Sequence, residues 1–208
     1  MLASANLKVM ATARRPFYIA EGDPPAKREI LRAALKLFSE RGLAATSIRD
    51  IADESGYTNP ALYKHFAGKE ELALHLFDVC HRRVWARCNA ALSSAPDFEG
   101  KLEAYIREWL ELVEEHPDVL GFLADSARTL WPKASPAVQR QTMIGLARSL
   151  VDAAPARSGA KRVNREVAAA SLQGTLAELA RMIHVGAVPG PATRWTADVV
   201  AFFRRLLG

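Results

Sequence analysis

The sequence predicts an all-α protein: a three-helix N-terminal unit followed by a larger helical domain, about nine helices in all. Three observations carry this expectation. Apolar residues recur at helical spacing, as in Ile30, Leu31, Ala34, Leu35, Leu37 and Phe38. Breaks rich in Gly, Pro and Ser divide the chain into segments of helix length. No segment alternates with period two over the length of a strand. The 208 residues can form one or two domains with a real core. At 50% hydrophobic and 25% charged residues, the composition excludes a disordered or fibrous chain.

Residues 1–25 lack helical periodicity, end in Gly22-Asp23-Pro24-Pro25, and read as a flexible basic arm. A helix starts at Ala26 and stops at Gly42, a residue that tolerates positive φ. A short helix follows, capped by Thr46 or Ser47. Asp50 stands on capping-box spacing from Ser47, and Ile48, Ile51 and Ala52 form the buried face. Ser55-Gly56 breaks it. The third helix runs from its N-cap Thr58 to about residue 66, with Pro60 in the first turn, where the missing N–H is harmless. Gly68 ends it, and Lys69-Glu70-Glu71-Leu72 opens a long helix to about residue 92. Further helices are expected over about 98–115, 118–130, 137–154, 164–185 and 193–207. The expected organisation is an arm over 1–25, a helix-turn-helix unit over 26–72, and a second helical domain over 73–208.

The informative stretch lies between residues 26 and 72. Two short helices joined by a Gly-containing turn, behind a longer amphipathic helix, form a helix-turn-helix pattern. The second short helix of that motif enters the DNA major groove. Leu62 and Phe66, at i and i+4, pack inward. Thr58, Asn59, Ala61, Tyr63, Lys64 and His65 are left to face outward or flank the backbone. No acidic residue occurs from Ser55 to Lys69, as a phosphate-facing surface requires. Thr46 and Lys69 each begin a helix, where free N–H groups and the dipole favour an anion. The bland alternative is that Tyr63 and His65 complete a small three-helix core.

Thr46-Ser47-Ile48-Arg49-Asp50-Ile51-Ala52, Gly56-Tyr57-Thr58, Leu62-Tyr63-Lys64-His65-Phe66 and Gly68-Lys69-Glu70-Glu71-Leu72 together resemble the TetR family of bacterial transcriptional regulators. The resemblance covers about residues 26–75. It implies an N-terminal DNA-binding domain, a divergent ligand-binding domain and a homodimer. It implies that Thr46, Tyr63, His65 and Lys69 contact phosphates, and that Thr58, Asn59, Pro60 and Lys64 lie at or near base edges. Tyr57 departs from the small aliphatic residue usual there; it either closes the hydrophobic turn or reaches a phosphate.

The last predicted helix carries two apolar stripes, Trp195, Val199, Phe202 and Leu206, and Val200, Phe203 and Leu207. One helix at a chain end needs one buried face, so the second suggests a partner chain. Small residues before it, including Ser171 and Gly174, allow close helix approach. An isologous four-helix bundle from the last two helices is the expected homodimer, with Ser171, Gly174, Trp195, Val199, Phe202, Phe203 and Leu206 at its interface. The alternative is a last helix buried in its own domain. Trp109, Phe122, Arg128, Trp131, Gln173 and His184 are the candidates for an apolar effector pocket with polar anchors.

Rival classes have less support. The five histidines form no HExxH pair, and no Gly-x-Ser-x-Gly, P-loop or dinucleotide fingerprint is present, so an enzyme is not expected. A helical adaptor or small-molecule-binding protein with a vestigial reading head is the other alternative. No metal and no cofactor is expected. Cys80 and Cys88 would lie about 12 Å apart along one helix, too far for a disulfide, and read as small core residues in a reducing cytoplasm. No apolar run reaches membrane-spanning length, and the N-terminus has no apolar stretch of secretory length. The expected location is cytoplasmic.

The formal net charge is +5. Residues 21–70 balance their charges, whereas residues 1–20 hold Lys8, Arg14 and Arg15 and no acid. The arm is therefore expected to add salt-sensitive affinity for DNA, with Arg14 and Arg15 in a minor groove.

Overall fold

The computed structural model of the chain describes residues 17–155 and 163–207. The all-α expectation is borne out: the described residues form ten α-helices and two short 3₁₀ turns, with no strand among them. The first three helices are α1 (Pro25–Arg41), α2 (Ile48–Ser55) and α3 (Asn59–Tyr63). Then come α4 (Lys69–Ser94), α5 (Phe98–Glu115) and α6 (Pro117–Leu130). A 3₁₀ turn (Trp131–Lys133) leads to α7 (Pro136–Arg140) and α8 (Met143–Asp152). The chain closes with α9 (Arg165–His184), a 3₁₀ turn (Ala192–Trp195) and α10 (Thr196–Leu207).

The helix ends follow local chemistry. At α2, the Ser47 hydroxyl accepts from the Asp50 N–H at 3.2 Å while the Ser47 N–H donates to the Asp50 carboxylate at 2.7 Å. This reciprocal box assigns the cap to Ser47 rather than Thr46. The Ser47 hydroxyl and N–H hold the Asp50 carboxyl below its ordinary range. Gly56 ends α2 at φ 74°, a left-handed conformation in which a Cβ is strained. Helix α3 is shorter than the expected 58–66, because the chain leaves the helix at Lys64 and His65 so that Phe66 can reach the core.

Helix α1 packs on α2, α4 and α6, and α4 runs on from the head beside α5, α6 and α8. Helix α9 lies on α8, and α10 lies on α5. An aromatic seam joins the two halves. Phe122 of α6 lies 5.7 Å from Phe38 of α1, near-parallel, and 6.4 Å from Phe77 of α4, edge-on. Such pairs add to the hydrophobic gain from burial. Cys80 and Cys88 are both buried and unbonded, and burial pushes the Cys80 thiol up to about 12. No helix among the described residues is long and apolar enough to cross a membrane.

Two expectations need correction. The single helix over 137–154 is two helices. Gln141 leaves the helical conformation, and Thr142 caps α8 by accepting from the Gly145 N–H at 3.0 Å. A Thr three residues before a Gly N–H is a helix start that apolar periodicity passes over.

The free arm does not extend to residue 25. Phe17, Tyr18 and Ile19 are buried, and Arg83 of α4 donates to the carbonyls of Phe17 and Ile19. The Phe17 ring lies 4.4 Å from His116 at the α5–α6 junction. Burial, then the nearby Asp118 charge, pushes the Tyr18 hydroxyl up to about 12. Asp23 anchors the start of α1. Its carboxylate accepts from the Ala20 N–H at 2.7 Å and pairs with Lys27 at 2.7 Å, while its carbonyl accepts from Arg28 at 2.7 Å. Burial opposes the Asp23 charge, but Lys27 and the Ala20 N–H outweigh it and hold the carboxyl below its usual value. Three apolar residues are too few to register as a helical period, so this strap left no pattern in the sequence.

Candidate nucleic-acid interface

Helix α3 owes its orientation to two side chains. Leu62 and Phe66 are buried under α1 and α2, which turns the opposite side of this short helix outward. Lys27 lies 5.8 Å over the Phe66 ring, and His75 of α4 meets that ring at 5.4 Å. The outward side carries Thr58, Asn59, Pro60, Tyr63 and Lys64, all exposed, with Tyr63 at 55%. His65 is half-buried. Thr58 occupies the N-cap position, but its hydroxyl makes no capping bond; its carbonyl accepts from Ala61 at 2.9 Å and Leu62 at 3.2 Å. A free hydroxyl, an amide, a phenol and an ammonium therefore stand on one surface. These groups hydrogen-bond base edges and phosphates.

Lys69 occupies the first turn of α4. Its ammonium donates to the Leu43 carbonyl at 2.9 Å and the Thr46 carbonyl at 2.7 Å. It thereby ties α4 to the loop between α1 and α2. An ammonium has three donors, so one remains for an anion. Arg49, exposed on the first turn of α2, is a further cation here that motif reading passed over, because no pattern singled it out.

Thr46 requires correction. It is 1% exposed, and its hydroxyl donates to the carbonyls of Leu37 and Gly42 at 3.3 and 2.9 Å. It braces the end of α1 and presents no side-chain group to a phosphate. Arg14 and Arg15 lie outside the described residues.

The six pocket candidates do not converge as a set. Trp109 and Phe122 are buried and Trp131 is half-buried. Phe122 and Trp131 both meet Phe77. Gln173 of α9 donates to the buried Tyr105 hydroxyl of α5. Arg128 and His184 are exposed, so neither lines an interior pocket. Two open surface grooves, one beside Arg107 and Glu111 and one beside Lys101 and Leu146, include none of the six. Among the described residues, no group of three His, Cys, Asp or Glu side chains is placed to hold a metal ion.

The dimer candidates divide. Phe203 is fully buried and Val199 is 7% exposed; with Val200 and Leu207 they form the face by which α10 lies on α5. These two are core residues of the chain itself, because residues 199, 200, 203 and 207 share one side of a helix. Phe202 is 56% exposed, Leu206 and Trp195 are half-buried, and on α9 Gly174 is exposed and Ser171 half-buried. The Trp195 indole N–H is held by the Pro189 carbonyl at 3.0 Å.

The fold and this site define a helix-turn-helix protein with a second, all-helical layer. Residues 30–76 match the model of bacterial regulatory proteins, tetR family. Among curated proteins, the HTH-type transcriptional repressor KstR2 of Mycobacterium tuberculosis is 34% identical over 102 residues, 49% of this chain and 51% of that protein. The sequence match thus spans about half the length of that relative. Two solved structures are similar across most of the fold. The ketosteroid transcriptional regulator KstR2 of Mycobacterium tuberculosis gives a TM-score of 0.71 at 23% identity, covering 90% of this chain and 97% of that one. The fatty acid degradation regulator FadR of Bacillus halodurans gives 0.69 at 18% identity, covering 89% and 96%. The family model thus matches the stretch from α1 into α4, which is the helix-turn-helix itself.

Proposed function

We propose that this chain is a ligand-responsive transcriptional regulator that binds a pseudo-palindromic operator as a homodimer, acts as a repressor, and is released by a small, largely apolar effector. One observation carries the reading: α3 presents Thr58, Asn59, Pro60, Tyr63 and Lys64 outward, beside a Lys69 ammonium, with no carboxylate from Ser55 to Lys69. Two such helices related by a two-fold axis would read half-sites about one helical turn apart, or somewhat more. In this reading His65 and Arg49 flank the phosphates, and residues 73–208 bind the effector and the second copy. The names of a ketosteroid regulator and a fatty acid degradation regulator among the structural neighbours support an apolar effector. In a gel shift on the DNA upstream of its own gene, the protein should form a sequence-selective, salt-sensitive complex. Absence of that complex would overturn the reading.

The homodimer belongs to the same proposal. The apolar and small residues that α9 and α10 leave uncovered, Val167, Gly174, Phe202 and Leu206, are its surface. Phe202→Arg places a charge on that surface while Phe203 keeps α10 on its own core. The variant is expected to elute as a monomer at micromolar concentration and to lose cooperative operator binding. An unchanged dimer by sedimentation would place the interface elsewhere.

A further inference from the structure

Phe66 fixes how α3 stands, and two titratable neighbours share its ring. The Lys27 ammonium, in the first turn of α1, lies 5.8 Å over the ring, and the His75 imidazole, in the second turn of α4, meets it at 5.4 Å with a tilt of 57°. Phe66 is buried, and its N–H closes the end of the reading helix by donating to the Leu62 carbonyl at 3.0 Å. Lys27 is kept in place by the Asp23 carboxylate, with which it pairs at 2.7 Å. His75 is half-buried. The charges that act on it are Lys27 and Asp23, from α1 and the turn before it, and Arg82 and Asp78, from its own helix. Histidine is the side chain whose charge changes nearest to neutral pH. Here it packs on the same ring as a permanent cation.

We propose that His75 is a proton-sensitive positioning residue for DNA reading: neutral, it packs on Phe66 and keeps α3 seated; protonated, it loosens that seat and lowers operator affinity. The proposal rests on the regulator reading above and adds a control to it. Burial, then the Lys27 charge, holds the imidazole below its ordinary 6.5, so it is neutral at pH 7. Once charged, it has two courses. It turns toward water, which its half-buried place allows, and leaves the Phe66 ring uncovered. Or it stays and competes with Lys27 for the Asp23 carboxylate, which draws Lys27 off the ring. Either course weakens the packing of the one ring that anchors the end of α3. A reading helix that is loose in the free protein must be ordered on the DNA, and that ordering costs affinity. His65 works in the opposite sense, because a proton there adds a cation beside the phosphates. The two histidines therefore give pH effects of opposite sign and can be separated.

Fluorescence-anisotropy titrations of the full chain on the upstream DNA, at about pH 7.5 and about pH 5.5 and one salt concentration of about 0.15 M, test this. His75→Phe keeps a ring against Phe66 and takes no proton. Between the two pH values the unmodified protein should lose at least about threefold more affinity than this variant. His65 is present in both proteins, so its contribution cancels. His75→Gln, neutral and smaller, should share the flatter profile and serves if the phenylalanine variant fails to fold. Lys27→Met removes the neighbouring cation and should move the midpoint of the acid loss to higher pH, which a residue with a packing role alone would not do. Thermal melts in the same buffers read the seat without DNA. The unfolded imidazole takes its proton near 6.5 and the folded one lower, so this group's stability is present above 6.5 and is lost as pH falls below it. The Tm of the unmodified protein should therefore fall by about 2 °C more than that of His75→Phe. Equal pH dependence of affinity in the unmodified protein and both His75 variants, or an unmoved midpoint in Lys27→Met, would overturn the proposal. Normal operator binding with no dependence on His75 removes this control alone. The expected difference in Tm without any DNA complex removes the regulator reading and leaves the proton-sensitive seat standing.

Discussion

Replacing Tyr63 and Lys69 together with alanine should weaken binding to the upstream DNA by at least about a hundredfold. Each side chain is assigned one charge-assisted phosphate contact, and such bonds are worth about 1.5–3 kcal/mol apiece. The salt slope should also flatten by about one unit for the lost lysine contact. The two substitutions differ in what else they remove. Tyr63 is 55% exposed and its truncation leaves the core intact. Lys69 also holds the Leu43 and Thr46 carbonyls, so its loss loosens the seat of the α1–α2 loop and lowers the melting temperature. Tyr63→Phe separates the roles, because it removes only the hydroxyl. Gel-shift titrations at several salt concentrations, paired with thermal melts, read both effects. Unchanged affinity in the folded double variant would favour a helical adaptor.

Phe122→Ala should lower unfolding stability by about 3–5 kcal/mol, the usual cost of emptying a phenylalanine site in a core. That is a large share of the roughly 5–15 kcal/mol typical of a folded protein. Phe122 is fully buried between Phe38 and Phe77, so it touches the first helix of the reading head and the long helix of the second domain at once. A cycle with Phe38→Ala should give a coupling of about 0.5–1.5 kcal/mol beyond additivity. Denaturant titration of the four proteins measures both. A loss below about 1 kcal/mol would mean that the seam relaxes around the gap and does not hold the two halves together.

What could be read in advance followed the strength of the local signal. The helix-turn-helix was legible because its parts are local: the Ser47 box, the Gly56 turn, Pro60 in a first turn, and Leu62 with Phe66 at helical spacing. Every one of these lies within four residues of its partner. Lys69 was legible as a cation beside the motif, but its bonds to Leu43 and Thr46 span more than twenty residues and leave no pattern. Thr46 misled for the same reason: a threonine before a helix looks like a cap until Leu37 and Gly42 take its hydroxyl. On α10 the two apolar stripes are not separate faces: Val199 of one lies with Val200, Phe203 and Leu207 of the other against α5, a division that 3.6-residue periodicity alone does not make. Phe203 was thus assigned to the partner although it is buried at home.

The clasp of Arg83 on the Phe17 and Ile19 carbonyls reverses chain order in space. Arg83 lies fourteen residues beyond Lys69 on one continuous helix, about 21 Å of rise. The segment that precedes α1 is thus fastened to the helices behind the reading head, with the Phe17 ring on His116 at the α5–α6 junction. Any shift of α4 against α1 must therefore pull on the Asp23 anchor that joins strap and helix.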